Sequence, residues 1–207
     1  MHETVEEKRQ LLRDYVKAQR EALSEEQLRA ASADMCLLLE STPEYHHSLH
    51  VGAYWPVRGE MDVMPVIEQT LRYNKHVYLP VVANDDTLHF APYTKDTPTK
   101  VNRFGITEPD VDPAELISPR GLDLVIVPLT VFDSYGNRLG MGGGHYDRTF
   151  AFLNEEPDLV APCLIGAAHE FQHTSELPTH PWDVPLRLTV TEQQVWRPIA
   201  ARAAETG

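Results

Sequence analysis

The order of apolar and polar positions along this 207-residue chain reads as helices first and strand-like runs afterwards. Residues 5–20 carry Val5, Leu12, Tyr15, Val16 and Gln19 near helical spacing, with lysines and arginines between them. That predicts an amphipathic helix with one unusually basic face. Ser24-Glu25-Glu26-Gln27 has the form of a capping box, so a second helix is expected from Glu25 to about Ser41, where Pro43 ends it. The apolar run 49–54 reads as a first buried strand, and 65–73 as a helix with Pro65 in its first turn. Residues 76–82 and 88–93 read as strands joined by a turn at Asn84-Asp85-Asp86. The stretch 94–119 is polar and proline-marked, with at most a short helix near 114–117.

Residues 122–128, with Leu124-Val125-Ile126-Val127 in a row, give the strongest strand signal. A continuous apolar run suits a strand covered on both faces, as in a parallel sheet. Residues 161–168 and 186–191 repeat the pattern more weakly. Alternating strands and helices predict an α/β protein, a three-layer α/β/α sandwich on a mostly parallel central sheet. In such folds ligands bind beyond the carboxyl ends of the strands. No repeat, low-complexity segment or linker divides the chain. A single domain over 1–207 is expected, with N-terminal helices at about 4–41, the sheet-bearing body at about 49–192 and a tail at about 193–207.

Composition narrows the classes. With 42% hydrophobic and 24% charged residues the chain is globular in type. A formal charge of −13 argues against a nucleic-acid binder built on a broad basic face. No apolar run approaches a membrane span, and the opening Met1-His2-Glu3-Thr4-Val5-Glu6-Glu7 is acidic and polar rather than secretory. A cytoplasmic protein without a membrane partner is expected. Cys36 and Cys163 lie far apart without CxxC spacing and read as reduced core thiols. His46, His47, His50, His169 and His173 form no zinc-ligand pattern, and no GxSxG elbow marks a serine hydrolase.

Candidate chemistry concentrates in three stretches. The first is Asn137-Arg138-Leu139-Gly140-Met141-Gly142-Gly143-Gly144-His145-Tyr146-Asp147-Arg148, glycine-rich and followed by a segment, 146–153, compatible with a helix. Glycines allow close approach to the main chain, and free N–H groups at a helix start favour anions, so a phosphate cradle competes with an ordinary flexible loop. Asp147 is either a Mg²⁺ ligand or a first-turn residue favoured by the helix dipole. In Lys8-Arg9-Gln10-Leu11-Leu12-Arg13, spacing by four puts Arg9 and Arg13 on one helix face, either binding an anion or solvated and paired with Glu6 or Asp14. The third, Tyr54-Trp55-Pro56-Val57-Arg58-Gly59-Glu60-Met61-Asp62, offers aromatics for a flat ligand. Its Glu60 and Asp62 could accept from ring N–H groups or cap the next helix.

These stretches, in this order, resemble the 5-formyltetrahydrofolate cyclo-ligase family, also called methenyltetrahydrofolate synthetases. The glycine motif carries the likeness. The opening basic helix with Leu12-Arg13 and Leu23-Ser24, the strand and Glu-x-Asp turn of 51–62, Phe104-Gly105-Ile106-Thr107-Glu108-Pro109, and His180-Pro181-Trp182-Asp183 followed by 188–192 support it. The resemblance implies the fold of sugar-phosphate isomerases and CoA transferases (NagB/RpiA/CoA transferase-like). It also implies a monomer that closes 5-formyltetrahydrofolate, polyglutamylated or not, to 5,10-methenyltetrahydrofolate at the expense of ATP. In that chemistry the formyl oxygen takes the γ-phosphoryl group, N10 closes the ring, and ADP and phosphate leave.

By the same resemblance Lys8, Arg9, Arg13, Arg138, Leu139, Gly140, Met141, Gly142, Gly143, Gly144, His145 and Tyr146 hold ATP. Trp55, Val57, Glu60 and Asp62, with Met141 to His145, border the folate. Arg138, His145, Tyr146 and Asp147 are catalytic, and Asp147 and Asp183 hold Mg²⁺. His145 stands where the family usually has an aromatic, and Arg187 is a candidate partner for Asp183. The competing classes are a sugar-phosphate isomerase or CoA transferase-like enzyme and a non-catalytic folate- or nucleotide-binding module.

Overall fold

A computed structural model describes residues 4–199; Met1 to Glu3 of the acidic opening and 200–207 of the expected tail lie outside the described residues. The chain opens with helices α1 (Val5–Glu21), α2 (Glu25–Glu40) and α3 (Pro43–His47). The Ser24 capping box forms as the sequence predicts, with the Gln27 N–H donating to Ser24 Oγ at 3.2 Å and Gln27 Oε1 accepting from the Ser24 N–H at 2.9 Å. The second helix ends at its Ser41 cap, as expected ahead of Pro43, and Pro43 itself opens α3 behind the Thr42 cap, a first-turn use of proline.

The body follows as β1 (His50–Gly52), α4 (Met64–Arg72), β2 (His76–Val82), β3 (Leu88–Tyr93), β4 (Thr99–Val101), β5 (Thr107–Pro109) and β6 (Leu124–Pro128). Next come β7 (Val131–Asp133), β8 (Arg138–Leu139), α5 (His145–Phe150), α6 (Phe152–Glu155), β9 (Cys163–Ala167), β10 (His173–Thr174), β11 (Leu188–Val190) and β12 (Val195–Trp196). The main sheet has the order β12-β11-β9-β6-β1-β2-β3. Its five inner strands are parallel, and β3 and β12 close the edges antiparallel. The expected tail is therefore sheet at its start, because β12 pairs with β11.

Side chains of β6 alternate between two apolar layers. Leu124 and Ile126 join Met35 and Leu39 of α2 and Val66 and Ile67 of α4, while Val125 and Val127 meet Phe90 and Phe150 on the other face. All four are fully buried, worth about 1.5–3 kcal/mol each in transfer terms. The three-layer α/β/α reading holds. The segment 146–153 is broken into two short helices rather than one, and 94–119 holds a small β4–β5 hairpin and a 3₁₀ turn at Pro113–Glu115.

The least expected packing is that of α1. Val5 and Tyr15 of its predicted apolar stripe are exposed, whereas Arg9, Val16 and Arg20 are buried. The inward face is the basic one. Only Val16 and Leu12 make an apolar seat, against Val131, Leu139 and Leu177.

Candidate active site

The chain runs from β1 outward to β2 on one side and returns to β6 on the other, so β1 and β6 flank the point where strand order reverses. Such a switch point leaves a crevice beyond the carboxyl ends of the strands. A cavity of about 350 Å³ lies there. Its walls come from the turn after β1 (Tyr54, Trp55, Val57, Glu60), the ends of β2 and β6 (Pro80, Val82, Pro128, Leu129), the glycine loop and the β4–β5 turn.

The glycine loop is shaped by backbone conformations that side chains rarely adopt. Gly142 has φ +100° and Gly144, the cap of α5, has φ +67°. A Cβ on Gly144 would also lie 2.8 Å from Arg148 Nη1. The loop leans on α1, where Arg13 Nε donates to the Gly140 carbonyl at 3.1 Å and Nη1 to Glu6 Oε1 at 2.8 Å. Arg138 supplies the charge of this wall. It is 4% exposed, and its Nε and Nη2 lack hydrogen-bond partners among the described residues, although Nη2 lies 2.9 Å from Asp147 Oδ1. Buried donors left unmade are costly, so this guanidinium suits an incoming anion. With α5 only six residues long, Arg138 is a stronger anion attractor than the helix dipole the sequence suggested.

Asp147 Oδ1 also accepts the Val184 N–H at 3.1 Å, while no hydrogen bond among the described residues reaches Oδ2. One free carboxylate oxygen beside phosphate is what Mg²⁺ asks of a protein, so Asp147 fits the ion. Asp183 does not. Its Oδ2 takes Arg9 Nη1 at 2.8 Å and the His180 N–H at 2.9 Å, and its Oδ1 faces Arg9 Nη2 at 3.5 Å. The partner of Asp183 is thus Arg9 from α1, not Arg187, whose backbone N–H goes to Leu164. Among the described residues no group of three His, Cys, Asp or Glu side chains could hold a metal by itself.

Glu60, which also lines the cavity, is buried and accepts the Val57 N–H at 3.1 Å. Burial raises its pKa, while the charge of Arg20 works the other way. Burial likewise lifts the phenols of Tyr54, whose hydroxyl donates to the Met61 carbonyl at 2.6 Å, and Tyr146. Arg20 reaches past this wall to donate to the Leu129 carbonyl, which Gln172 also satisfies at 2.9 Å.

His145 ties the rim together. Its Nδ1 lies 2.8 Å from the Asp86 carbonyl, which can only accept, so Nδ1 carries the proton. Phe104 meets the imidazole edge-on at 5.1 Å, Arg148 Nη2 donates to the same Asp86 carbonyl at 3.3 Å, and Arg103 pairs with the Asp86 carboxylate. The β2–β3 turn, the β4–β5 turn and the glycine loop are thereby joined.

Of the expected site residues, Trp55, Val57, Glu60, Arg138, Gly140, Met141, Gly143, Gly144, His145, Tyr146 and Asp147 line the cavity. Asp62 is outside that lining and sits just ahead of α4, where its Oδ1 accepts the Met64 N–H at 2.9 Å. Leu139 is core, Gly142 faces Arg13, and Lys8 is exposed while Arg9 is buried. Asn102 and Phe104 also line the cavity but were not among the expected site residues, and neither was Arg20, whose charge acts on Glu60. For Arg20 the available signal was its place on the Arg9-Arg13-Val16 helix face.

The family model for 5-formyltetrahydrofolate cyclo-ligases matches residues 5–192. The chain belongs to that family. It is 36% identical over 183 residues to the cyclo-ligase of Escherichia coli K12, an alignment covering 87% of this chain and 98% of that protein. The identity is also 36% to the cyclo-ligase of Haemophilus influenzae, with 87% and 95% covered. The NMR structure of 5,10-methenyltetrahydrofolate synthetase from Aquifex aeolicus superposes with a TM-score of 0.78 at 34% identity, covering 95% of this chain and 96% of that one.

Proposed function

We propose that this cyclo-ligase family member converts 5-formyltetrahydrofolate and ATP to 5,10-methenyltetrahydrofolate, ADP and phosphate. The observation that carries the reading is that one cavity combines an anion-seeking lining with an acceptor lining. Arg138 and the glycine loop supply the anion-seeking part, and Glu60 with Tyr54 and Trp55 supplies the acceptor and the aromatic surfaces. The pterin amino and ring N–H groups need acceptors, which Glu60 provides, and the aromatic side chains supply the flat surfaces such a ring packs on. A formyl oxygen is a poor leaving group, so its phosphorylation precedes attack by N10. Catalysis then rests on in-line positioning and charge neutralisation.

Arg138 balances charge on the transferred phosphoryl group from a site that excludes water, where it is worth most. Asp147 would hold Mg²⁺, which screens the phosphate charge when bound. Arg13 steadies the glycine loop through the Gly140 carbonyl. His145, with its Nδ1 proton on the Asp86 carbonyl, fixes the rim.

Purified protein given 5-formyltetrahydrofolate and Mg·ATP is expected to gain the near-ultraviolet absorbance of the methenyl product, with one ADP released per product. Tight folate binding without ADP release would identify a binding module instead, and no folate binding at all would remove the proposal. Arg138→Met is expected to lower kcat by about 100-fold or more, the usual cost of losing a preorganised charge on a transition state.

A further inference from the structure

Arg20 is a buried cation for which the reaction above has no use. It lies in the last turn of α1, is 5% exposed, and its Nε has no hydrogen-bond partner among the described residues. A cation so placed is costly unless a counter-charge stands near it. Its Nη2 donates to the Leu129 carbonyl just past β6, and the turn that carries Glu60 lies directly on its main chain. Gly59 has φ +70°, and a Cβ there would stand 3.0 Å from Arg20 Cβ and 3.1 Å from the Arg20 carbonyl oxygen. Only glycine lets the two segments approach so closely. The turn is closed by the Glu60 N–H donating to the Val57 carbonyl at 3.0 Å and by the Val57 N–H donating to Glu60 Oε2 at 3.1 Å. No hydrogen bond among the described residues reaches Glu60 Oε1, which is left for a ligand. The groups whose charge bears on Glu60 are Arg20 from α1, Arg58 on its own turn, Tyr54 after β1 and Tyr146 from α5. Burial keeps both phenols neutral and Arg58 is exposed, so Arg20 is the buried cation set against this carboxylate. Behind Arg20 stand Gln172, uncharged, and His169, which burial keeps neutral.

We infer that Arg20 is a positioning residue for the folate: as counter-charge and seat for the 57–60 turn, it holds Glu60 ready to accept from the pterin ring while standing outside the cavity lining itself. This rests on the folate reading of Glu60 above. Burial pushes the Glu60 carboxyl up and the charge of Arg20 draws it back. Without Arg20 the carboxyl protonates at higher pH, and a protonated carboxyl has lost acceptor capacity.

The test compares wild-type protein with Arg20→Gln, Arg20→Lys, Glu60→Gln and the double variant Arg20→Gln/Glu60→Gln. Gln removes the charge and keeps a donor for the Leu129 carbonyl. Binding of 5-formyltetrahydrofolate is followed by calorimetry from about pH 6 to about pH 9, a range that brackets the shifted carboxyl. Arg20→Gln is expected to weaken folate about 10-fold at neutral pH, the effect of about one unit in the pKa of its acceptor. The loss is expected to shrink as pH rises, to be mostly recovered in Arg20→Lys, and to vanish when Glu60 is already Gln. A loss of equal size at every pH, or one that adds fully to that of Glu60→Gln, overturns the inference and leaves Arg20 as scaffold. If Arg20→Gln does not fold, Gly59→Ala drives the turn off an intact Arg20; it is expected to weaken folate, and an unchanged affinity overturns the inference. The carbon-13 resonance of the Glu60 carboxyl, titrated without either substrate, separates this inference from the folate reading. Its midpoint is expected to rise by about one pH unit in Arg20→Gln. A midpoint that moves in a protein that binds no folate supports the coupling and removes the folate reading, and a midpoint that stays put overturns the coupling whatever the folate does.

Discussion

Glu60 is a carboxylate held where carboxylates are disfavoured, and the cost is measurable. Burial raises its pKa, with Arg20 opposing, so near the upper value the folded chain keeps a proton that the unfolded chain has lost. Stability on this account is greatest below the unfolded pKa and declines as pH rises through the folded one. Glu60→Gln is therefore expected to raise Tm at neutral pH while weakening folate. Loss of a charged acceptor costs about 1.5–3 kcal/mol, or about 10- to 150-fold in KM. An unaltered folate KM would reduce Glu60 to a tie for the Val57 amide. His169 has the opposite sign. Burial first, then the charge of Arg20, lower its pKa from 6.5 to about 4, and it is 2% exposed. Between those values the unfolded state binds a proton that the folded state refuses. Stability is complete above about pH 6.5 and falls as the pH drops toward 4, by up to about 3 kcal/mol. Urea unfolding of His169→Gln is expected to show a flatter dependence across that window; an unchanged slope would assign the acid sensitivity elsewhere.

Among the elements, the β4–β5 hairpin contributes most to the site for its size. Its strands have three residues each, and those of β4 are exposed throughout, so no apolar alternation marked them in the sequence. Asn102 Nδ2 holds Glu108 Oε2 at 3.0 Å across the hairpin, and Phe104 rests on His145. Because Phe104 is 41% exposed, Phe104→Ala is expected to leave Tm within about 1 °C, as surface substitutions usually do. The folate KM should rise several-fold as one wall of the cavity loosens. If Tm fell by many degrees with no change in KM, the hairpin would be scaffold rather than wall. Helix α1 shows the converse case, in which periodicity found the helix and misjudged its inner face. Hydropathy ranks Val5 and Tyr15 above Arg9 and Arg20, but the arginines have carboxylate and carbonyl partners to bury against.

At the scale of the molecule, the Arg9–Asp183 pair joins the first helix to the segment before the last parallel strand, 174 residues apart, and both side chains are nearly sealed from water. A buried pair adds little net stability over an apolar replacement, yet removing one partner strands the other and costs about 3–5 kcal/mol. Arg9→Met is thus expected to lower Tm by about 10 °C at this chain length, and Arg9→Met with Asp183→Leu to recover much of the loss. Differential scanning calorimetry decides it: a wild-type Tm in the single mutant would show that the pair does not form in solution. Among the described residues no helix is long and apolar enough to cross a membrane, and both cysteines are free.

Local physics determined the helix caps, the hairpin turn at Asn84-Asp85-Asp86, the doubly buried strand β6 and the glycine loop, because each depends on neighbours in sequence. The likeness to the cyclo-ligases was legible for the same reason, since a contiguous motif carried it. Tertiary structure alone decided which residues share a wall. The basic face of α1 turned inward, Asp183 paired with Arg9, and Asp62 took the Met64 N–H while Glu60 entered the cavity. These outcomes hinge on charged groups finding partners far away in the chain. A charge is buried only where such a partner waits, and no pattern of nearby residues can report that.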